Sequence, residues 1–233
     1  MALDQPADML LRSKEWLVLG LGLSLHVILY GARILTSGRL NFGFLLGNLT
    51  LALVPLGLAM CLKCQRRHVG FYALFGLWFI FLPNAPYIIT DLVHIRQRPP
   101  IPVYYDALLL GNAALTGLFA GAFSVHRVHH ALCGRWSRDR ATMAIGVAIF
   151  ASGFGIYLGR FERWNSWDLL VRPLEVLRSI AEAPAIRVAA VTVAAAGLLA
   201  MAVLAVSPPP LEGADGSLRR ARLRPRSHER EER

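Results

Sequence analysis

Six apolar segments, each long enough to cross a lipid bilayer, limit the possible folds of this chain more than any other feature of its sequence. A helix needs about 20 predominantly apolar residues to span the hydrocarbon core, and runs of that order recur along the chain. The predicted spans cover residues 16–32, 42–62, 69–89, 104–125, 141–158 and 186–206. We therefore predict an all-α, polytopic membrane helical bundle with six transmembrane helices.

The composition agrees with a membrane protein. Of the 233 residues, 55% are hydrophobic and 17% are charged, whereas charged residues make up about 25% of a typical soluble domain. No hydrophilic segment is long enough to form a separate soluble domain. The predicted organisation is a polar N-terminal segment at 1–15, a transmembrane bundle at 16–206 and a disordered basic tail at 207–233.

The net charge of +10 reflects arginines that flank the apolar runs, as the positive-inside rule describes. The basic loops at 63–67 and 127–140, together with the tail, predict that both termini are cytoplasmic. No aromatic residues alternate with the basic ones as in nucleic-acid-binding modules, so we expect membrane lipid and no nucleic acid as a partner. The pairs Gly43-xxx-Gly47, Gly117-xxx-Gly121 and Gly155-xxx-Gly159 predict close helix contacts and leave room for a homo-oligomer.

The third span ends in a segment broken by Pro83 and Pro86. Two prolines remove two backbone donors and clash with the preceding turn, so a straight α-helix cannot continue through them. Inside a membrane, the freed backbone groups are tolerated only where protein or water satisfies them. This segment, which is followed by Asp91 and His94, is therefore the best candidate for a functional site.

A second polar cluster, at residues 159–168, follows the fifth span. An even number of crossings separates it from the loop after the third span, so both loops must lie at the same membrane surface. Residues 167–181 then alternate apolar and charged side chains with a helical period, which predicts an amphipathic helix in the interface plane. Asn165 and Asp168 have the spacing of a capping box that begins such a helix.

Three motifs resemble those of a known family. They are Leu82-Pro-Asn-Ala-Pro-Tyr-Ile-Ile-Thr-Asp-Leu-Val-His94, Tyr105-Asp106 and Gly159-Arg-Phe-Glu-Arg-Trp-Asn-Ser-Trp-Asp168. Over roughly residues 20–205 the sequence resembles the bacterial integral-membrane family catalogued as domain of unknown function 1361. The resemblance implies a bacterial multi-pass protein, which we expect in the cytoplasmic (inner) membrane. That family has no agreed catalytic residues, so the resemblance assigns no role to any side chain here.

The side chains gathered at this surface suit acid–base or metal chemistry. The candidate catalytic residues are Asp91, His94, Glu162 and Asp168. A carboxylate and an imidazole can share a proton in general acid–base catalysis, or can bind Zn²⁺ or Mn²⁺ that activates a water molecule. Asp91 and His94, which are three residues apart, are the candidate ligands for such a divalent metal ion.

The remaining polar side chains indicate the substrate. The candidate substrate-binding residues are Asn84, Arg96, Asp106, Arg160, Arg163, Trp164 and Asn165. Arginine binds phosphate through two parallel hydrogen bonds, and tryptophan is enriched at the lipid–water interface. These preferences predict a lipid or lipid-linked anionic substrate, and hence a hydrolase or a transferase.

Two hypotheses explain the same residues without catalysis. In one, the polar loops hold each other, with Arg160 and Arg163 paired to Glu162 or Asp168, and with Asn84 bonded to the backbone that the prolines open. In the other, the protein is a small transporter. A transporter predicts a polar path that runs inward from Asn84. The residues along that path would be Asn48, Asn112 and Thr116.

Overall fold

The computed structural model describes residues 6–65 and 67–207, which form helices and no β-strand. The helices are α1 Pro6–Ser37, α2 Phe44–Cys64, α3 His68–Phe81, α4 Asn84–Tyr87, a 3₁₀ helix at Ile88–His94, α5 Val103–Cys133, α6 Arg138–Phe161, α7 Asp168–Val171, α8 Pro173–Glu182 and α9 Ala185–Val206. Residues 1–5 of the predicted N-terminal segment, and all but the first residue of the predicted tail, lie outside the described residues.

Six helical segments among the described residues are long and apolar enough to cross a membrane. They are Ser13–Ser37, Phe44–Leu62, His68–His94, Val103–Cys133, Arg138–Phe161 and Ala185–Val206. The predicted all-α multi-pass bundle is confirmed. Most of these helices extend a few residues beyond the predicted spans, and α1 begins at Pro6, inside the predicted polar segment.

The centre of the bundle is α5, the most buried of the six spans. It packs against α1, α2, α9 and the 3₁₀ helix. Its buried face carries small residues, among them Ala113, Ala114 and Ala120, which let neighbouring backbones approach closely. The second close pair is α6 and α9, where the backbone of Thr192 lies against Gly153.

The proline-broken segment keeps its direction but changes its hydrogen bonding. Leu82, Pro83 and Ile88 all have helical dihedral angles, so the chain continues along one path from α3 through α4. The α-helical hydrogen bonds are nevertheless interrupted after Phe81, and the one-turn helix α4 and a 3₁₀ helix follow. The predicted interruption at the prolines is confirmed, although the backbone dihedral angles remain helical through it.

Two of the three glycine pairs enclose this proline-broken segment. A Cβ atom added to Gly117 or Gly121 of α5 would lie 2.6 Å from Ile88 or 2.7 Å from Ala85. On α6, a Cβ at Gly155 would lie 2.5 Å from Pro83, and one at Gly159 would lie 3.0 Å from the Tyr87 ring. In the third pair, a Cβ added to Gly47 would meet open space. The prediction of close helix contacts is therefore confirmed for the pairs on α5 and α6.

The amphipathic segment is divided at Pro173, a residue that fits a helix there only if the helix starts late or bends. The backbone turns at Arg172 (φ −134°, ψ 52°), and Pro173 begins α8, because a proline inside a helix would leave a carbonyl without its donor. The rotation of α8 about its axis buries Val176, which is 1% exposed, and leaves Leu174 and Leu177 71% and 60% exposed. Leu174 and Leu177 belong to the apolar face of the amphipathic helix predicted to lie in the interface plane, and they do not pack on the protein.

The tight contact between α6 and the proline-broken segment predicts that Gly155→Ala destabilises the bundle. The new methyl group meets the rigid ring of Pro83, and overpacking of this kind costs about 1–3 kcal/mol. We expect a lower melting temperature for the detergent-purified variant, measured by circular dichroism. The matched control is Gly146→Ala on the same helix, where a Cβ would meet nothing within 4 Å. Equal melting temperatures for the two variants would contradict this close contact.

Candidate functional site

A cavity of about 120 Å³ lies between the proline-broken segment and the end of α6. Its polar lining residues are Asn48, Asn84, Tyr87, Trp164, Asn165 and Ser166. The apolar part of the lining includes Leu51, Ile80 and Leu169, and Leu169 is 40% exposed. None of the described residues that line this cavity is charged, so its walls offer neutral donors and acceptors together with aromatic faces.

Asn84 connects the two polar motifs across this cavity. Its amide nitrogen donates to the Ser166 hydroxyl (2.8 Å) and to the Phe81 carbonyl (2.9 Å). The Phe81 carbonyl lacks its usual helical donor because the Ala85 N–H bonds to Leu82 instead. One side chain therefore repairs the broken helix and holds the 159–168 loop beside it, so the two loops are neighbours as the crossing number predicted.

Asp91 is buried against α2. Its carboxylate is 2% exposed and accepts a hydrogen bond of 2.7 Å from the amide of Asn48, a cavity-lining residue. His94 lies one 3₁₀ turn later, and its ring centroid is 5.1 Å from that of Phe44, which is also on α2. Both side chains thus face α2.

Glu162 connects α6 to α8. Its two carboxylate oxygens accept hydrogen bonds from the Tyr157 hydroxyl (3.0 Å) and from the Ser179 hydroxyl (2.9 Å). Both oxygens of this predicted catalytic residue therefore have partners within the protein. The Ser179 bond joins α8 to the end of α6, and the Tyr157 bond, from within α6, holds the Glu162 carboxylate in place.

Asp168 organises the turn that precedes α7. Its carboxylate, 5% exposed, accepts hydrogen bonds from the Asn165 backbone N–H (2.7 Å) and from Arg172 (2.9 Å). The Asn165 backbone N–H, followed by the Arg172 guanidinium, holds the pKa of Asp168 below its usual value of 3.8. The predicted capping box is half formed, because the Asn165 side chain also donates to Asp168 and makes no return bond to a backbone N–H.

Asp106 belongs to a separate buried cluster. Its carboxylate is fully buried and accepts two hydrogen bonds from Arg33, at 2.7 and 3.2 Å. Arg98 lies 3.6 Å from the same carboxylate. The guanidinium groups of both arginines lie over the Phe42 ring, at 4.6 and 4.7 Å. Asp106 does not line the cavity, and the structure assigns it to the junction of α1 with α5.

The predicted substrate-binding arginines remain without an acidic partner. Among the described residues, no salt bridge involves Arg96, Arg160 or Arg163. Arg96 and Arg163 are exposed, and Arg160 is half-buried. Trp164, which lines the cavity, also lies 5.5 Å beneath the Arg172 guanidinium. Arg96, Arg160 and Arg163 thus have no acidic partner within the part of the chain that the structure describes.

The four predicted catalytic side chains do not form one hydrogen-bonded set. Asp91 is bonded to Asn48, whereas Glu162 and Asp168 each have partners of their own. Within the described part of the chain, no group of three or more His, Cys, Asp and Glu side chains could hold a metal ion. Asp91 and His94 therefore offer at most two ligands, fewer than the three or four protein ligands that zinc sites use.

The geometry also bears on the two hypotheses without catalysis. The loops do hold each other, but through the bond between Asn84 and Ser166, and the expected pairing of Arg160 and Arg163 with Glu162 or Asp168 is wrong. Asn112 donates to the Gly22 carbonyl of α1, and Thr116 donates to Asn112. Neither lines the cavity, so the polar path that a transporter predicts does not continue inward from Asn48.

Sequence reasoning assigned no partner to Arg33 or to Ser166. A polar residue inside a span is expected to bond a neighbouring helix, and Asn48 does so at Asp91. An arginine and an asparagine within apolar spans are costly unless they are paired. That cost was the available signal for Arg33 and Asn48, since it predicts a buried partner for each.

A model of one protein family matches residues 47–203, a range that includes all three motifs. The family is described as Protein of unknown function (DUF1361). This chain belongs to that family. No curated protein and no solved structure matches it. The DUF1361 assignment confirms the resemblance seen in the motifs, and it assigns no activity.

The low pKa of Asp168 predicts a pH-dependent contribution to stability. A carboxylate whose pKa is lower in the folded state than in the unfolded state stabilises the protein at pH values above the unfolded-state pKa. This contribution is lost as the pH falls through the folded-state pKa. We therefore expect Asp168→Asn to lower the melting temperature at pH 7, and the difference from wild type to shrink below pH 3.8, the usual value. The control is Asp139→Asn, at an exposed position. A difference that persists unchanged in acid would refute the argument.

Proposed function

We propose that this protein is a bacterial inner-membrane protein that binds the polar headgroup of a lipid or lipid-linked substrate in the cavity between α4 and α6. The observation that carries the proposal is the lining itself, in which three asparagine amides, a serine and two aromatic side chains surround one space. Amides and hydroxyls can donate and accept hydrogen bonds, so they suit the hydroxyl groups of a glycerol or sugar headgroup.

The size and position of the cavity support a headgroup fragment. A volume of about 120 Å³ corresponds to roughly four water molecules at about 30 Å³ each, which suits one glycerol unit or part of a sugar. The cavity lies at the end of the third and fifth spans, where a membrane lipid presents its polar end. The unpaired Arg96, Arg160 and Arg163 would attract a phosphate at that surface.

Within this proposal Asp91 is the proton acceptor of a hydrolase or transferase reaction. Its carboxylate accepts a hydrogen bond from the lining residue Asn48 and has acceptor capacity beyond that single bond, whereas both oxygens of Asp168 already have partners. Glu162 and Asp168 are assigned positioning roles, since their oxygens hold α8 and the 159–168 loop. The proposal needs no metal ion, because the Asp91 carboxylate itself accepts the proton.

The structural hypothesis remains a second candidate, favoured by the bond between Asn84 and Ser166. If joining the loops is the whole role of these residues, Asn84→Ala prevents accumulation in the membrane and Asp91→Asn has no separate effect. A homo-oligomer would use the Gly43-xxx-Gly47 face, because the other two glycine pairs contact the proline-broken segment within the chain.

The test compares the lipids that co-purify with three variants, identified by mass spectrometry. Asp91→Asn is expected to retain one lipid species in excess over wild type, because the asparagine still accepts from Asn48 but cannot take a proton. Loss of a general base slows reactions by about 10²–10⁴-fold, so unconverted substrate should accumulate. Ile80→Trp, which fills the cavity, should lose that species.

The control is Leu108→Trp, at a position that is 54% exposed and outside the cavity. It should keep the wild-type lipid profile. Identical profiles for all variants would refute headgroup binding. If Ile80→Trp loses a bound lipid species that Asp91→Asn does not enrich, the result supports headgroup binding and refutes the proposed catalysis.

The proposed orientation has its own test, in a variant whose three native cysteines are replaced by serine. Gln97→Cys and Arg163→Cys should both react with a membrane-impermeant maleimide in intact cells, since both positions are exposed and belong to the proposed outer face. Ser137→Cys, between α5 and α6, should react only after the membrane is permeabilised. Labelling of positions 97 and 163 from opposite sides of the membrane would refute the proposal that the two loops share one site.

A further inference from the structure

A second cavity, of about 450 Å³, lies between α3 and α6 near the opposite membrane face. We call it the α3–α6 cleft. Phe75 and Phe79 line it from α3, and Met143 and Val147 line it from α6. Trp136 and Arg140 lie at the end of the cleft that is nearest the start of α6. None of these residues belongs to the cavity described above.

The cleft lies between two helices whose main packing partners differ. The proline-broken segment that follows α3 packs on α6, where Pro83 meets Gly155. α3 itself packs mainly on α2, and α6 packs mainly on α9. Met143 and Val147 consequently remain 69% and 59% exposed.

The walls of the cleft change from apolar to cationic along its length. Phe79 and Val147 lie deepest in the span, whereas Trp136 and Arg140 lie at the interface. The Trp136 indole donates to the Tyr72 hydroxyl (3.2 Å), as a tryptophan fixed at the headgroup level does. Arg140 is exposed and has no acidic partner among the described residues.

We infer that the α3–α6 cleft binds one anionic phospholipid of the leaflet that faces the termini. An acyl chain lies against Phe75, Phe79 and Val147, and the phosphate is bound at Arg140. The polarity gradient of the cleft matches that of a phospholipid, and its single charged end is positive. An acyl chain suits the deep, apolar part of the cleft, because it supplies the dispersion contacts that an unfilled gap between helices would lack.

The test is native mass spectrometry of the full-length protein in detergent, titrated with phosphatidylglycerol or with phosphatidylcholine of identical acyl chains. Wild type should retain one phosphatidylglycerol in preference to phosphatidylcholine. Arg140→Gln should weaken phosphatidylglycerol binding about fivefold, which corresponds to one basic side chain at an anionic membrane surface. Its control, Arg138→Gln, changes an exposed arginine of the same turn that does not line the cleft.

A second pair of variants tests the deep part of the cleft. Val147→Trp fills it and should weaken both lipids, whereas Phe150→Trp, on the same helix and outside the lining, should leave binding unchanged. Equal affinity for the two lipids, or equal effects of Arg140→Gln and Arg138→Gln, would overturn the inference. Protein dimers in place of lipid adducts would also overturn it, since a second copy would then cover the cleft.

Discussion

The hydrogen-bonding deficit created by Pro83 and Pro86 is the constraint on which the rest of the structure depends. In hydrocarbon, a backbone carbonyl without a donor costs several kcal/mol, so a segment with two prolines must be enclosed by protein. The fold meets this requirement with two neighbouring helices and with a side chain of the segment itself. Glycines of α5 and α6 let the segment approach closely, and the Asn84 amide donates to the Phe81 carbonyl that the break leaves free.

The same enclosure creates the candidate site. Asn84 can donate to both Phe81 and Ser166 because an amide nitrogen has two hydrogens, so the group that repairs the helix also positions the 159–168 loop. The cavity then forms between the segment and that loop. The 3₁₀ helix that follows turns Asp91 towards Asn48. Backbone repair and cavity formation are therefore one structural event.

The periodic and hydrophobic signals of the sequence were sufficient for the fold. Span number, the proline break and the shared face of the two loops follow from apolar length, proline chemistry and crossing number. Side-chain partners did not follow, because they depend on the rotation of each helix. Glu162 illustrates this point, since its partner Ser179 lies on α8, whose phase was reset at Arg172 and Pro173. The pairing of Arg33 with Asp106 required knowing that α1 packs on α5.

The contact between Pro83 and Gly155 determines the accessible surfaces at both ends of α6. It brings α6 against the proline-broken segment at one face, where the small polar cavity forms. α3 packs mainly on α2 and α6 packs mainly on α9, and the larger apolar cleft lies between α3 and α6. Packing in cores is close to jigsaw density, so a methyl group at this single contact would shift α6 relative to the segment. Both cavities would change together, since one helix forms a wall of each.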